Sequence, residues 1–302
     1  MGSLFDLPGD DWDPLYLAIR DSDHPSAVET RQFVDGLWGR YESLADPHFK
    51  NEIGSQFQPR FWEMYLACTL LAHSFKISSS DVGPDFCMSV GDMRIWIEAI
   101  APGPGAPCSA DRVPDIVLIS ESGIAQSVPD EQIVIRYCGA IKEKFRKYSE
   151  YLSNGIIGSS DPYVIAINSG TIRLARPELN IPRIVKAVFP IGHLQVTMSR
   201  ETGEVVDTGY QARTEIPKAS GAAVETTIFI DPGFAGISAV LYSPIDAVNQ
   251  TERMGDDFVF VHNPLASNPI PRDLIRMGIE YWAEDRGENY ELCDKNWADD
   301  AR

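Results

Sequence analysis

Two carboxylates set in an apolar stretch carry the first chemical signal in this chain. In "VGPDFCMSVGDMRIWIEAI" (residues 82–100), Asp85 follows Gly83-Pro84. Twelve residues then intervene before Glu98, which closes the apolar run Ile95-Trp96-Ile97. A buried charge without a partner is strongly unfavourable, so either the sequence places a cation there or the hairpin is not buried as its apolar residues imply. The strand-like segments "DFCMSV" and "MRIWIEAI", joined at Gly91-Asp92, predict a tight antiparallel hairpin whose open end brings the two acids side by side. Two such carboxylates suit Mg²⁺ or Mn²⁺, with water and a substrate phosphate filling the remaining positions. A metal held this way orients an attacking water and stabilises the leaving oxygen of a phosphodiester. The competing reading is a surface hairpin with solvated acids, and the apolar neighbours of Glu98 weigh against it.

The elements that must position these acids follow from periodicity. Apolar residues at Val28, Phe33, Leu37 and Tyr41 predict a helix over 26–47, capped by Ser26 and ended by Pro47. A second helix over 59–75 is apolar nearly all round, which implies burial between layers. A short strand is expected near Lys76–Ser78, ahead of the hairpin, and "APGPGAPCSADRVP" reads as a surface loop. The clearest helix spans 129–152, with Ser127 as its cap and a stripe at Val134, Tyr137, Cys138, Ile141, Phe145, Tyr148 and Leu152. "YVIAINSG" then reads as a central strand. Further on, a hairpin turns at Thr202-Gly203, "VETTIFID", "ISAVLYS" and "DFVFVHNP" read as strands, and 271–285 as a helix.

This combination resembles the PD-(D/E)XK nuclease superfamily, the restriction-endonuclease-like fold. The resemblance rests on "GPDF", "IWIEAI" and the order helix, strand, strand, helix, strand from Pro59 to Gly170. It implies a Mg²⁺-dependent nuclease with Asp85 and Glu98 as metal ligands and the Ala99 carbonyl as a further one. The family's lysine lies two residues past the acid, where this chain has Ile100. A relocated cation must replace it. On the 129–152 helix, Arg136, Ala140, Lys144 and Lys147 fall along one edge, and Lys144 borders the apolar stripe, so Lys144 is the candidate. Glu63, on the preceding helix, is the third acid of interest, because relatives place a glutamate there; a plain Arg60–Glu63 surface pair is its alternative. Arg136, Lys142, Arg146 and Lys147 form a candidate nucleic-acid surface. The implied partner is nucleic acid, DNA in preference to RNA. The alternative function is a member that has lost catalysis and acts as a nucleic-acid-binding or protein-interaction module.

Composition bounds the rest. The chain has 302 residues and a net charge of −18, which opposes non-specific adhesion to nucleic acid or acidic membranes. That charge is concentrated at the ends: residues 1–25 hold six Asp against one Arg, and residues 251–302 hold twelve acids against six bases. Five scattered cysteines lack metal-ligand spacing, and their odd number opposes a disulfide framework, so reduced thiols and a cytoplasmic protein are expected. No apolar stretch is long enough for a membrane span. No GxSxG, GxxxxGK[ST] or GxGxxG motif is present, and the five histidines share no ligand spacing. The expected class is α/β: an N-terminal arm and helix (1–49), a restriction-endonuclease-like core (50–170), a β-rich extension packed on it (171–285) and an acidic tail (286–302). A homodimer is compatible with this layout.

Overall fold

The computed structural model describes residues 2–116, 127–178, 180–287 and 290–300. Four helices come first: α1 (Pro14–Asp21), α2 (Pro25–Tyr41), α3 (Phe49–Glu52) and α4 (Phe57–Ala72). They are followed by β1 (Lys76–Ser78), β2 (Phe86–Val90), β3 (Met93–Ile100), α5 (Asp130–Ser153) and β4 (Tyr163–Asn168). Next come α6 (Arg183–Val188), the strands β5 (Ile191–Met198) and β6 (Val205–Ala212), and the short strands β7 (Glu215–Pro217) and β8 (Ala223–Glu225). The chain closes with β9 (Ala239–Ser243), β10 (Val259–His262), β11 (Ile279–Asp285), β12 (Tyr290–Asn296) and α7 (Trp297–Asp300).

Eight strands form one mixed sheet in the order β1-β2-β3-β4-β9-β10-β11-β12. Its centre is parallel, β3 beside β4 and β4 beside β9, which accounts for the unbroken burial of "YVIAIN" in β4. Helices cover both faces. One core lies between the sheet and α1–α4, where Ile95, Ile97, Val164, Ala166 and Leu241 meet Phe61, Trp62, Tyr65 and Leu66. The other lies under α5 and α6, where Ile165, Ile167 and Tyr242 meet Tyr137, Ile141 and Ile184. Because strand side chains alternate, β3 sends Ile95 and Ile97 to the α4 side and Trp96, Glu98 and Ile100 to the α5 side.

The expected hairpin is present. Val90 pairs with Met93 across a turn at Gly91, whose φ of 58° is the left-handed conformation that glycine tolerates. The short strand at Lys76–Ser78 pairs antiparallel with β2, and α4 is buried nearly all round. Two helix caps differ from expectation. α2 starts at Pro25, with the His24 ring accepting from the Ser26 N–H, and α5 starts at Asp130 with Pro129 before it, so neither Ser26 nor Ser127 is the cap.

Three larger expectations are corrected. The segment 271–285 is not a helix; it ends in β11, which runs parallel to β10. Asp273 (φ 64°) and Gly278 (φ 54°) both leave helical space, and Gly278 packs so tightly on the Phe258 carbonyl that a Cβ there would sit 1.9 Å from the oxygen. The acidic tail is no free tail, since Tyr290–Asn296 forms the edge strand β12 and Trp297 is buried. The N-terminal arm is likewise built into the core, with Leu4, Phe5, Tyr16 and Ile19 buried and the Tyr16 hydroxyl donating to the Leu4 carbonyl at 2.7 Å. Segments 171–285 and 286–300 therefore add β9–β12 to the same sheet that holds β1–β4. The β5–β6 hairpin and the β7–β8 pair stand apart from this sheet, and on the former Leu194, Val196, Met198, Val205 and Val206 are exposed. No helix among the described residues is long and apolar enough to cross a membrane.

Candidate active site

Glu98 is 2% exposed and faces α5. Its charge is met by three donors from that one helix. Lys144 Nζ lies 2.7 Å and Lys147 Nζ 3.1 Å from Oε1, while the Tyr151 hydroxyl donates to Oε2 at 3.2 Å. Spacings of three and four residues between these donors put them on one edge of α5. That edge is held over the sheet by aromatic packing: the Tyr148 ring lies 5.0 Å from that of Tyr163, and the Tyr163 hydroxyl donates to the Lys144 carbonyl at 3.2 Å.

Asp85 enters from the other strand. The antiparallel register pairs Phe86 with Ile97, so the next position along β2 sets Asp85 opposite Glu98. Gly83, at φ 117°, turns the chain into this position, and Pro84 is buried. The Ala99 N–H donates to Asp85 Oδ2 at 2.6 Å, so the side chain continues the hydrogen-bond ladder where β2 stops. Burial first, then the neighbouring charges of Glu98 and Glu63, push the Asp85 carboxyl up to about 7, against the opposing pull of Lys144 and the Ala99 N–H. Lys147 is held above the ordinary lysine range: burial opposes its charge, but the attraction of Glu98 prevails. The Tyr151 phenol is raised by burial and by Glu98, so it stays a donor.

Glu63 lies near enough to act on Asp85 but belongs to a second network. The Tyr41 hydroxyl donates to its Oε1 at 2.5 Å, and Arg60 Nη1 lies 2.7 Å from Oε2. Arg60 also binds Asp46 at 2.9 Å and contacts Glu52. The Arg60–Glu63 pair is real but not a plain surface one, since the Glu63 carboxylate is 13% exposed and burial raises its carboxyl above the usual range. A cavity of about 210 Å³ lined by Arg60, Glu63, Ser80 and Asp85 joins this network to the site.

Of the four bases expected on a nucleic-acid surface, Lys147 joins the carboxylates and Arg146 is exposed on the same helix. Arg136 donates from Nε to the Gly103 carbonyl at 2.8 Å, beside the end of β3. Lys142 points away, 3.5 Å from Glu225 and 6.0 Å from the centre of the Phe234 ring. Tyr151 and Tyr41 were not foreseen. Tyr151 lies seven residues beyond Lys144 on the same helical edge, so extending the periodicity one turn past Lys147 finds it; nothing in the sequence links Tyr41 to Glu63.

The donor set can be weighed against a divalent ion. No group of three or more His, Cys, Asp or Glu among the described residues is arranged to hold a metal. What the site offers is two carboxylates, of which Asp85 is raised by burial first and then by the charge of Glu98. Such a pair fits Mg²⁺, which keeps several waters and takes one or two carboxylates. Comparisons with family models, with curated proteins and with solved structures return no match for this chain.

Proposed function

We propose that the protein is a divalent-metal-dependent nuclease whose α4–β1–β2–β3–α5–β4 segment is a restriction-endonuclease-like core. The observation that carries this reading is the Lys144 ammonium 2.7 Å from the buried Glu98, a carboxylate set opposite the half-buried Asp85. Two acids and a lysine are the chemistry of phosphodiester hydrolysis, and here the lysine comes from α5 because Ile100 stands two residues past Glu98.

Asp85 and Glu98 would hold Mg²⁺ or Mn²⁺, with the Ala99 carbonyl as the expected third protein ligand. When bound, the ion lowers the pKa of a water and offsets charge on the phosphate. Lys144, on Glu98 Oε1 at 2.7 Å, would be placed to hold an attacking water and to offset developing negative charge from one side. Lys147, the more exposed of the two lysines at 47%, would be the one to meet a substrate phosphate. The Ala99 N–H orients Asp85, and Tyr151 orients Glu98. Glu63 acts on Asp85 through its charge, from its own bonds with Tyr41 and Arg60. The substrate is nucleic acid, DNA in preference to RNA.

One observation favours a second reading. The three donors of α5 satisfy the buried Glu98 without any metal, as expected of a catalytically degenerate protein that keeps the fold as a binding module. Nuclease assays in Mg²⁺ separate the two. Asp85→Asn and Lys144→Ala should each lower the cleavage rate by roughly 10²-fold or more, and Mg²⁺ should raise the melting temperature of the wild type but not of Asp85→Asn. A wild type that neither cuts nor responds to Mg²⁺ or Mn²⁺ leaves only the second reading.

A further inference from the structure

Beside the proposed catalytic pair, the end of β3 and the first half of α5 enclose a cavity of about 400 Å³. Ile100, Pro102 and Gly103 form one wall, and Arg136, Gly139 and Glu143 the other. Arg136 spends its Nε on the Gly103 carbonyl, which fixes the guanidinium plane. Among the described residues no carboxylate lies within ion-pair distance of this guanidinium, although most arginines of the chain are so paired. Its terminal amino groups are the donors left for the cavity. Gly139 is the second observation. It sits in the middle of a 24-residue helix, where glycine is a poor former, yet a Cβ there would meet nothing within 4 Å. Among the described residues nothing crowds this point; what the missing side chain leaves open is the cavity that Gly139 lines.

We infer that this cavity is a subsite for a phosphodiester of the bound nucleic-acid strand, with Arg136 as the clamp and Gly139 as the point where the strand approaches the helix. The inference rests on the nuclease reading. Arg136 precedes Lys144 by eight residues, ~12 Å along the helix. At ~3.4 Å per nucleotide in a duplex, and more in an extended strand, the clamped phosphate lies about two to four nucleotides from the scissile one. Glu143 at the rim repels the same backbone and limits non-specific adhesion. A planar fork of donors matches a phosphate's oxygens, which is why arginine suits this place better than lysine.

The test measures fluorescence anisotropy of a labelled single strand of about twelve nucleotides, and of a dinucleotide, with Ca²⁺ replacing Mg²⁺ to suppress cutting. Gly139→Leu, which improves the helix and fills the cavity, should match or exceed the wild-type melting temperature and weaken the long strand at least tenfold while leaving the dinucleotide unchanged. Arg136→Gln should do the same, and Glu143→Gln should tighten binding. A folded Gly139→Leu protein that binds the long strand like the wild type overturns the subsite. So does inorganic phosphate binding that Gly139→Leu removes while strand binding persists, since the cavity would then serve a free anion. A parallel cleavage assay with Asp85→Asn reports separately on the catalytic reading, so failure of the subsite and failure of that reading are told apart.

Discussion

Asp85 is one residue at which pH acts on this fold, and Glu178, also pushed up to about 7 by burial, is another. The Asp85 carboxyl titrates near 7 in the folded chain, against an ordinary value of 3.8. Between those values the folded state binds a proton that the unfolded state has lost. The contribution of the protonated side chain is therefore complete below pH ~4 and is lost as pH rises through about 7. Asp85→Asn removes that dependence, because an amide stays neutral and can still accept from the Ala99 N–H. Urea unfolding without divalent ions should find the variant more stable than the wild type at pH 8, by something on the order of a few kcal/mol, and nearly equal to it at pH 4. The opposite slope would mean that Lys144 dominates Asp85 and that the carboxylate pair is already neutralised. Lys144 was legible in the sequence because a helix repeats every 3.6 residues and its edge can be counted. The Asp85–Glu98 pairing was legible because a two-residue turn at Gly91 fixes the register. The Tyr41 and Arg60 grip on Glu63 was not, since it depends on how α2 and α4 cross.

At the scale of elements, α5 and β11 teach opposite lessons. α5 is long, with apolar side chains at helical spacing, and local pattern alone identifies it. The segment running into β11 has apolar residues at Leu274, Ile275, Met277 and, at the start of the strand, Ile279 that imitate a helix, but the contact of Gly278 with Phe258 overrides that pattern. There the Ile279 N–H donates to the Phe258 carbonyl at 2.8 Å and starts the β10–β11 pairing. Buried Glu280 on β11 then accepts from the Trp297 indole at 3.1 Å and from the Asp273 N–H at 3.1 Å, and lies 2.7 Å from His262 Nε2. One carboxylate thus ties β10, β11 and α7 together. Gly278→Ala should destabilise the protein by roughly 1–3 kcal/mol from backbone strain alone, read as a lower urea midpoint with an unchanged m-value. An unchanged midpoint would show that this glycine does not hold the strand.

For the whole molecule, the sequence reads as an N-terminal arm and an acidic tail, and tertiary packing makes both ends structural. Leu4, Phe5, Tyr16 and Ile19 enter the core beside α2 and α4, and the Phe5 and Tyr16 rings stack at 5.2 Å. Removing residues 1–21 should therefore abolish cooperative thermal unfolding rather than release a tether. A truncated chain with the wild-type melting temperature would refute that packing.

The sequence by itself determined the α/β alternation, the hairpin register that opposes Asp85 to Glu98, the buried α4 and the helical edge that carries Lys144. These follow from periods of 2 and 3.6 and from turn chemistry, which are local. Only the tertiary structure decided that Glu98 has three donors, that β9–β12 extend the same sheet and that residues 279–285 are a strand. Each of these depends on contacts between residues far apart in the chain, where packing free energy outweighs local preference.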